Sequence, residues 1–260
     1  MAINKNKISN VKHQNYKLKF KILSFGLSFC ILIFDFCISN NVHAYSWKPI
    51  AGGLSYTVIN DTHIFQIDPK LFKFSVITAK DLGEVDTTAQ MIAKKSKAAL
   101  VINGGFFSPE HKSLGLLVRD GKTINPLHPT SWWAIFQIAK EKPAIIPLRS
   151  FKANAETEMA LQVGPRLVVN GEIPQFKPSL ARRSGVGIRR NGNIIIAVTA
   201  NDEISMEEFA NLFRGLECVD ALNLDGGGSS QLYFSLNGFK LEVPGISRIA
   251  NAITVAPRDY

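Results

Sequence analysis

Cysteine is scarce in this sequence, and the scarcity narrows the chemistry at once. There are three cysteines in 260 residues, and Cys30 and Cys37 both fall in an N-terminal stretch with the character of a targeting segment. Cys218 is alone in the remainder, which excludes an intramolecular disulfide there and reads as a small buried hydrophobe rather than a nucleophile. Phe34-Asp35-Phe36-Cys37 also lacks the small residues of a lipoprotein site. Histidine is thin as well. His63, His111 and His128 are scattered, with no HxH or HExxH spacing, so nothing points to a zinc hydrolase. Gly226-Gly227-Gly228-Ser229 has no lysine where a Walker loop needs one, and dinucleotide spacing is absent. Low-complexity tracts, internal repeats and linker-like boundaries are missing from residues 50–260.

A long apolar run is missing too. The most apolar stretch, Ile22 to Phe34, has 13 residues, and it reaches Ser39 only by taking in Asp35, a costly group in lipid. Six lysines precede it (Lys5, Lys7, Lys12, Lys17, Lys19 and Lys21), and Val42-His43-Ala44 follows as a small-x-small cleavage motif before Tyr45. This grammar is that of a secretory signal over residues 1–44, with a domain over residues 45–260. The expected location is secreted or periplasmic. An uncleaved membrane anchor is the alternative, and a membrane is a partner only in that case.

What is present is an ordinary globular domain. The formal charge of +9 is concentrated at the start. Without the six lysines and Asp35 of residues 1–44, 24 basic and 20 acidic side chains remain, a net of +4. That balance favours anionic ligands mildly and gives no case for nucleic acid. About 215 residues bury roughly 70% of their unfolded surface, so no covalent staple is needed.

The chain alternates short β segments with two helices. Strand patterns occur at residues 56–59, 64–67, 72–78, 98–102, 115–119, 132–138, 161–163, 167–169, 186–189, 194–199, 221–224 and 249–255. Asp86-Thr87-Thr88 opens an amphipathic helix to about Lys97, and the capping box Ser205-Met206-Glu207-Glu208 opens another that stops at Gly215. The expected fold class is α+β: one domain with a strand-rich mixed sheet core and a few packed helices.

Two strand ends break the pattern alike. The run to Ile102 enters Asn103-Gly104-Gly105-Phe106-Phe107, and the run to Leu224 enters Asp225-Gly226-Gly227-Gly228-Ser229-Ser230. Glycine permits positive φ and close backbone approach, and exposed amides there can cradle an anion. Two tight structural turns are the bland reading. Arg166, within Gly164-Pro165-Arg166, and Arg183, within Arg182-Arg183-Ser184-Gly185, supply guanidinium groups suited to phosphate. Of the adjacent Trp132 and Trp133, one belongs in the core and the other is free to stack on a sugar ring.

These blocks, with Gly115-Leu116-Leu117-Val118, Gly164-Pro165-Arg166-Leu167-Val168, Arg183-Ser184-Gly185-Val186-Gly187-Ile188 and Asn223-Leu224-Asp225-Gly226-Gly227-Gly228-Ser229-Ser230, resemble the phosphodiester glycosidase family over about residues 50–257. The resemblance implies an exported hydrolase that splits the glycosyl–phosphate bond of sugar-1-phosphodiesters in envelope or extracellular glycans. Asp225, Asn103 and Arg183 are then expected in catalysis. Arg166, Gly104, Gly105, Asn223, Gly226, Gly227, Gly228, Ser229 and Ser230 are expected around the phosphorylated glycan. No cofactor is required, a structural calcium ion stays open, and the second carboxylate is sought among Glu172, Asp202 and Glu203. The rival reading is a non-catalytic glycan-binding envelope protein with the same fold.

Overall fold

In a computed structural model, residues 46–152 and 154–258 are described; the expected signal segment and its cleavage site lie outside them. Three sheets share one core. The first has seven strands: β1 (Lys48–Ala51), β2 (Leu54–Ile59), β3 (Thr62–Ile67), β11 (Arg166–Val168), β13 (Ser184–Arg189), β14 (Ile194–Thr199) and β16 (Cys218–Asn223). Their order is β1-β2-β3-β14-β13-β16-β11. The second, in the order β18-β17-β5-β19-β4, holds β4 (Phe72–Thr78), β5 (Leu100–Asn103), β17 (Leu232–Leu236), β18 (Phe239–Val243) and β19 (Asn251–Pro257). The third, in the order β7-β6-β10-β8-β9, holds β6 (Leu117–Arg119), β7 (Lys122–Asn125), β8 (Ala134–Ala139), β9 (Lys142–Pro147) and β10 (Thr157–Val163). A two-stranded ribbon, β12 (Leu180–Ala181) with β15 (Ile204–Ser205), stands apart from these.

The inner faces meet through aromatic rings. Phe65 of the first sheet lies 4.7 Å from Phe234 of the second, and Phe74 of the second lies 6.5 Å from Phe136 of the third. All four are fully buried, and each such ring contributes about 2–3 kcal/mol by leaving water.

The fold is richer in sheet than an even α+β mixture, and the expected mixed sheet is replaced by antiparallel pairing between all described strands. The reason is in the connections. Tight turns with left-handed residues (Asn60, Asp120-Gly121, Asn237-Gly238) return the chain directly, whereas a parallel neighbour needs a long crossover. Two α-helices pack outside the sheets: α1 (Ala89–Ser96), capped by Thr88, and α2 (Met206–Gly215), opened by the Ser205–Glu208 capping box. None of the described helices is long and apolar enough to cross a membrane.

Helix α2 explains two glycines. Phe209 and Phe213 are fully buried against the first sheet. A Cβ on Gly185 would stand 2.8 Å from the Phe209 ring, and one on Gly187 would stand 2.5 Å from Phe213 and 2.7 Å from Cys218 Sγ. Glycine here is a socket for aromatic rings, and Gly185 pairs with Asn223 at the end of β16.

Candidate active site

The two glycine turns, more than 120 residues apart in sequence, meet at the ends of β5 and β16. Asp225 N–H donates to Gly104 O at 3.0 Å, and Asn103 Nδ2 donates to Asp225 O at 2.6 Å. Asn103 is wholly buried, and its Oδ1 accepts from Ser184 Oγ at 2.7 Å and Gln231 N–H at 3.1 Å. One amide therefore ties the end of β5 to β13, to the residue before β17 and to the second turn.

Gly104 and Gly105 are spoken for by the protein itself. Their N–H groups donate to the main-chain O and the Oδ1 of Asn251, at 3.0 and 2.7 Å. A Cβ on Gly104 would fall 2.1 Å from that Oδ1, and one on Gly105 would fall 3.1 Å from Gln162 O. Close packing, rather than an open anion cradle, is what these two glycines serve. In the second turn Gly226 N–H donates to Asp225 Oδ1 at 3.0 Å, and Gly227 N–H donates to Arg182 O at 2.8 Å. Gly227 has φ +59, with nothing within 4 Å of where a Cβ would stand. Gly228 packs on Ser247, whose N–H it accepts at 2.8 Å.

The Asp225 carboxyl is half-buried. Burial pushes its pKa above the usual carboxylate range, while the Ser229 hydroxyl and Gly226 N–H pull it partly back. A carboxyl with raised proton affinity at a strand end is suited to take up a proton in the chemical step. On its flanks lie two buried polar atoms without partners, Asn223 Oδ1 and Ser230 Oγ. Asn223 Nδ2 is spent on Leu224 O at 2.6 Å.

The arginines divide. Arg182 reaches the glycine turn through its carbonyl, its Nη2 donates to Pro244 O at 3.0 Å, and its Nε is buried without an acceptor. Arg183 turns the other way, as neighbours on extended backbone do. Its guanidinium donates to Ser179 O, Ser179 Oγ and Ile204 O at 2.8, 2.9 and 3.2 Å, and burial lowers its pKa. Arg166 pairs with Asp220 on β16 at 2.6 Å. None of these contacts of Arg166 or Arg183 reaches the Asp225 carboxyl.

Among the other carboxylates, Glu172 sits in the turn beside Val219, at the far end of β16 from Asp225. Asp202 is fixed through its N–H to Asp61, and Glu203 lies near enough to Arg183 to feel its charge. Trp133 is buried, while Trp132 is 56% exposed and 6.2 Å from Phe106 of the first turn. Three buried amides that sequence reading did not single out hold the loops in place: Asn251, Gln231 and Gln162. For Asn251 and Gln162 the signal was a lone polar residue inside an apolar strand. Among the described residues, no group of three or more His, Cys, Asp or Glu is placed to hold a metal ion.

This arrangement has relatives. The chain is 27% identical over 185 residues to the uncharacterized protein YigE of Escherichia coli (strain K12), covering 65% of this chain and 72% of that protein. The catalytic domain of zebrafish N-acetylglucosamine-1-phosphodiester alpha-N-acetylglucosaminidase, auto-inhibited by its pro-peptide, superposes with a TM-score of 0.61 at 18% identity over 82% of both chains. A hypothetical protein from Synechocystis gives 0.53 at 19% identity, over 82% of this chain and 61% of its own. At such identities these two structures share the fold. The family model for phosphodiester glycosidases matches residues 96–256, a span that holds both glycine turns and every strand from β5 to β18. The chain belongs to the phosphodiester glycosidase family.

Proposed function

We propose that this protein is an exported hydrolase that cleaves the glycosyl–phosphate bond of sugar-1-phosphodiesters. The observation that carries the reading is the Asp225 carboxyl, raised in pKa by burial and held at the junction of the two glycine turns. The zebrafish enzyme, by its name, acts on an N-acetylglucosamine-1-phosphodiester. In the proposed step a water oxygen bonds to the anomeric carbon as the carbon–oxygen bond to phosphate breaks. The electron pair leaves on the phosphate oxygen, and Asp225 takes the proton of the water. Phosphate is a good leaving group, so one carboxyl suffices where an ordinary glycosidase needs two. The Gly228 N–H and Arg182 Nε, which have no acceptor among the described residues, are the donors of this region assigned to the departing phosphomonoester. Asn103 acts by positioning Asp225, the buried Asn223 Oδ1 and Ser230 Oγ offer partners to an ordered water behind the site, and Trp132 offers a face for the ring.

The test is a screen of purified protein against sugar-1-phosphodiesters, sugar phosphates and p-nitrophenyl phosphodiesters. Release of free sugar and a phosphomonoester from the first class is expected. Release of p-nitrophenol alone would make it a phosphodiesterase, and binding without turnover would make it the glycan-binding module. Export rests on the N-terminal grammar, and N-terminal sequencing of secreted material should begin at Tyr45.

A further inference from the structure

Beside the first glycine turn lies a cavity of about 150 Å³, room for about five waters or one oxyanion with part of its sugar. Its polar lining is Thr78, Lys80, His111, Lys112, Ser113 and Asn125, with no carboxylate among the lining residues. The Lys80 and Lys112 ammonium groups are in no hydrogen bond or ion pair among the described residues, although Glu110 lies near enough to feel Lys112. The nearest carboxylates are already committed. Asp81 takes two hydrogen bonds from Arg119 and others from Thr78, and Asp86 is paired with Arg248 and faces His111 Nε2 at 3.5 Å. His111 stacks on Phe107 at 5.3 Å, and its Nδ1 is buried without a partner. The hydroxyl of Ser113 accepts from Asn251 Nδ2 at 2.9 Å, leaving its own proton to give.

The cavity is coupled to the Asp225 junction by one side chain. Asn251 holds Ser113 with its Nδ2 and Gly105 with its Oδ1. The cavity therefore presents an anionic group with two ammonium groups in no ion pair among the described residues, the unpartnered His111 Nδ1 and the Ser113 hydroxyl. We propose that this cavity is an anion subsite, and that the substrate is a polyanionic glycan carrying a second oxyanion, carboxylate or phosphate, beyond the phosphodiester that is cleaved. The inference rests on the proposed function for its substrate class, but the binding itself does not depend on turnover.

The experiment uses the full chain at low salt, with glucuronate, glucose 6-phosphate and glucose as titrants in calorimetry. The comparison is wild type against Lys80→Gln/Lys112→Gln and the charge-keeping Lys80→Arg/Lys112→Arg. Wild type should bind one or both anions at least tenfold tighter than glucose, the glutamine pair should lose that preference, and the arginine pair should keep it. Which anion wins identifies the oxyanion. Equal affinity for glucose and both anions, or a glutamine pair that still discriminates, overturns the subsite. In kinetics, a sugar-1-phosphodiester with a neighbouring uronate should be preferred over its neutral counterpart by wild type and the arginine pair, and not by the glutamine pair. Turnover without that preference would remove the subsite and leave the hydrolase. Anion binding without turnover of any diester would remove the hydrolase and leave the subsite.

Discussion

Asn103 and Asp225 touch through the wrong atoms for a catalytic pair: the Asn103 side chain donates to the main-chain carbonyl of Asp225, at 2.6 Å, and not to its carboxylate. Asn103 fixes where the Asp225 backbone stands, and the carboxyl is then aimed by that backbone. A residue with this role should couple stability to activity. Asn103→Asp exchanges the donor for a buried acceptor facing a carbonyl, so a loss of about 2–4 kcal/mol is expected. Denaturant melts and kinetics should move together, and a normally stable variant with low kcat would instead put Asn103 in the chemistry.

Asp225→Asn should separate the same two quantities. The amide oxygen can still accept from Gly226 and Ser229, so the turn survives. Turnover should fall at least about a hundredfold. The stability sign follows from the raised pKa. The native state holds the Asp225 proton more tightly than the unfolded chain, so the contribution is present below the unfolded pKa and lost as pH rises through the native one. At pH 7 the Asn variant should melt no lower than wild type, and a lower melting temperature would contradict the assignment.

The two adjacent arginines should fail differently. Lysine at 183 cannot make the three hydrogen bonds that the guanidinium gives to Ser179 and Ile204, so Arg183→Lys should lower stability by about 1–3 kcal/mol. Arg182→Lys should lower kcat/KM on the diester more than it lowers the melting temperature. Thermal melts with kinetics on both variants would show the reverse ranking if Arg183 is the arginine that meets phosphate.

Acid should find a weak point at the Asp81–Arg119 pair. The two guanidinium hydrogen bonds, at 2.8 and 2.9 Å, hold the Asp81 pKa down to about 2. Its stabilisation is present above the ordinary carboxylate value and is lost as pH falls towards 2. Asp81→Asn should therefore cost about 1–2 kcal/mol at pH 7 and almost nothing near pH 2. A pH series of urea midpoints reads this directly.

Local features were legible in the sequence because local chemistry determines them. The Thr88 cap and the Ser205–Glu208 box open the two helices, and the buried runs at 98–102, 194–199 and 249–255 all contribute strands. The hairpin of β17 and β18 lay outside the expected strands although Asn237-Gly238 marks its turn. Antiparallel closure of three sheets depends on partners distant in the chain, which periodicity does not encode. The glycine turns stood out, but the reason for them was ambiguous. Gly104 looks identical whether it admits a ligand or Asn251, and only the packed neighbour decides. Arg182 and Arg183 are likewise equivalent as text and opposite in space.

The clasp of Asn251 on Gly104 and Gly105 has a temporal meaning. Asn103 is made long before Asp225 and Asn251, and the junction draws on all three. A nascent chain that stops short of Asn251 lacks the clasp, so hydrolytic competence should arise only near the end of synthesis. Truncations ending before and after Asn251 would date that onset.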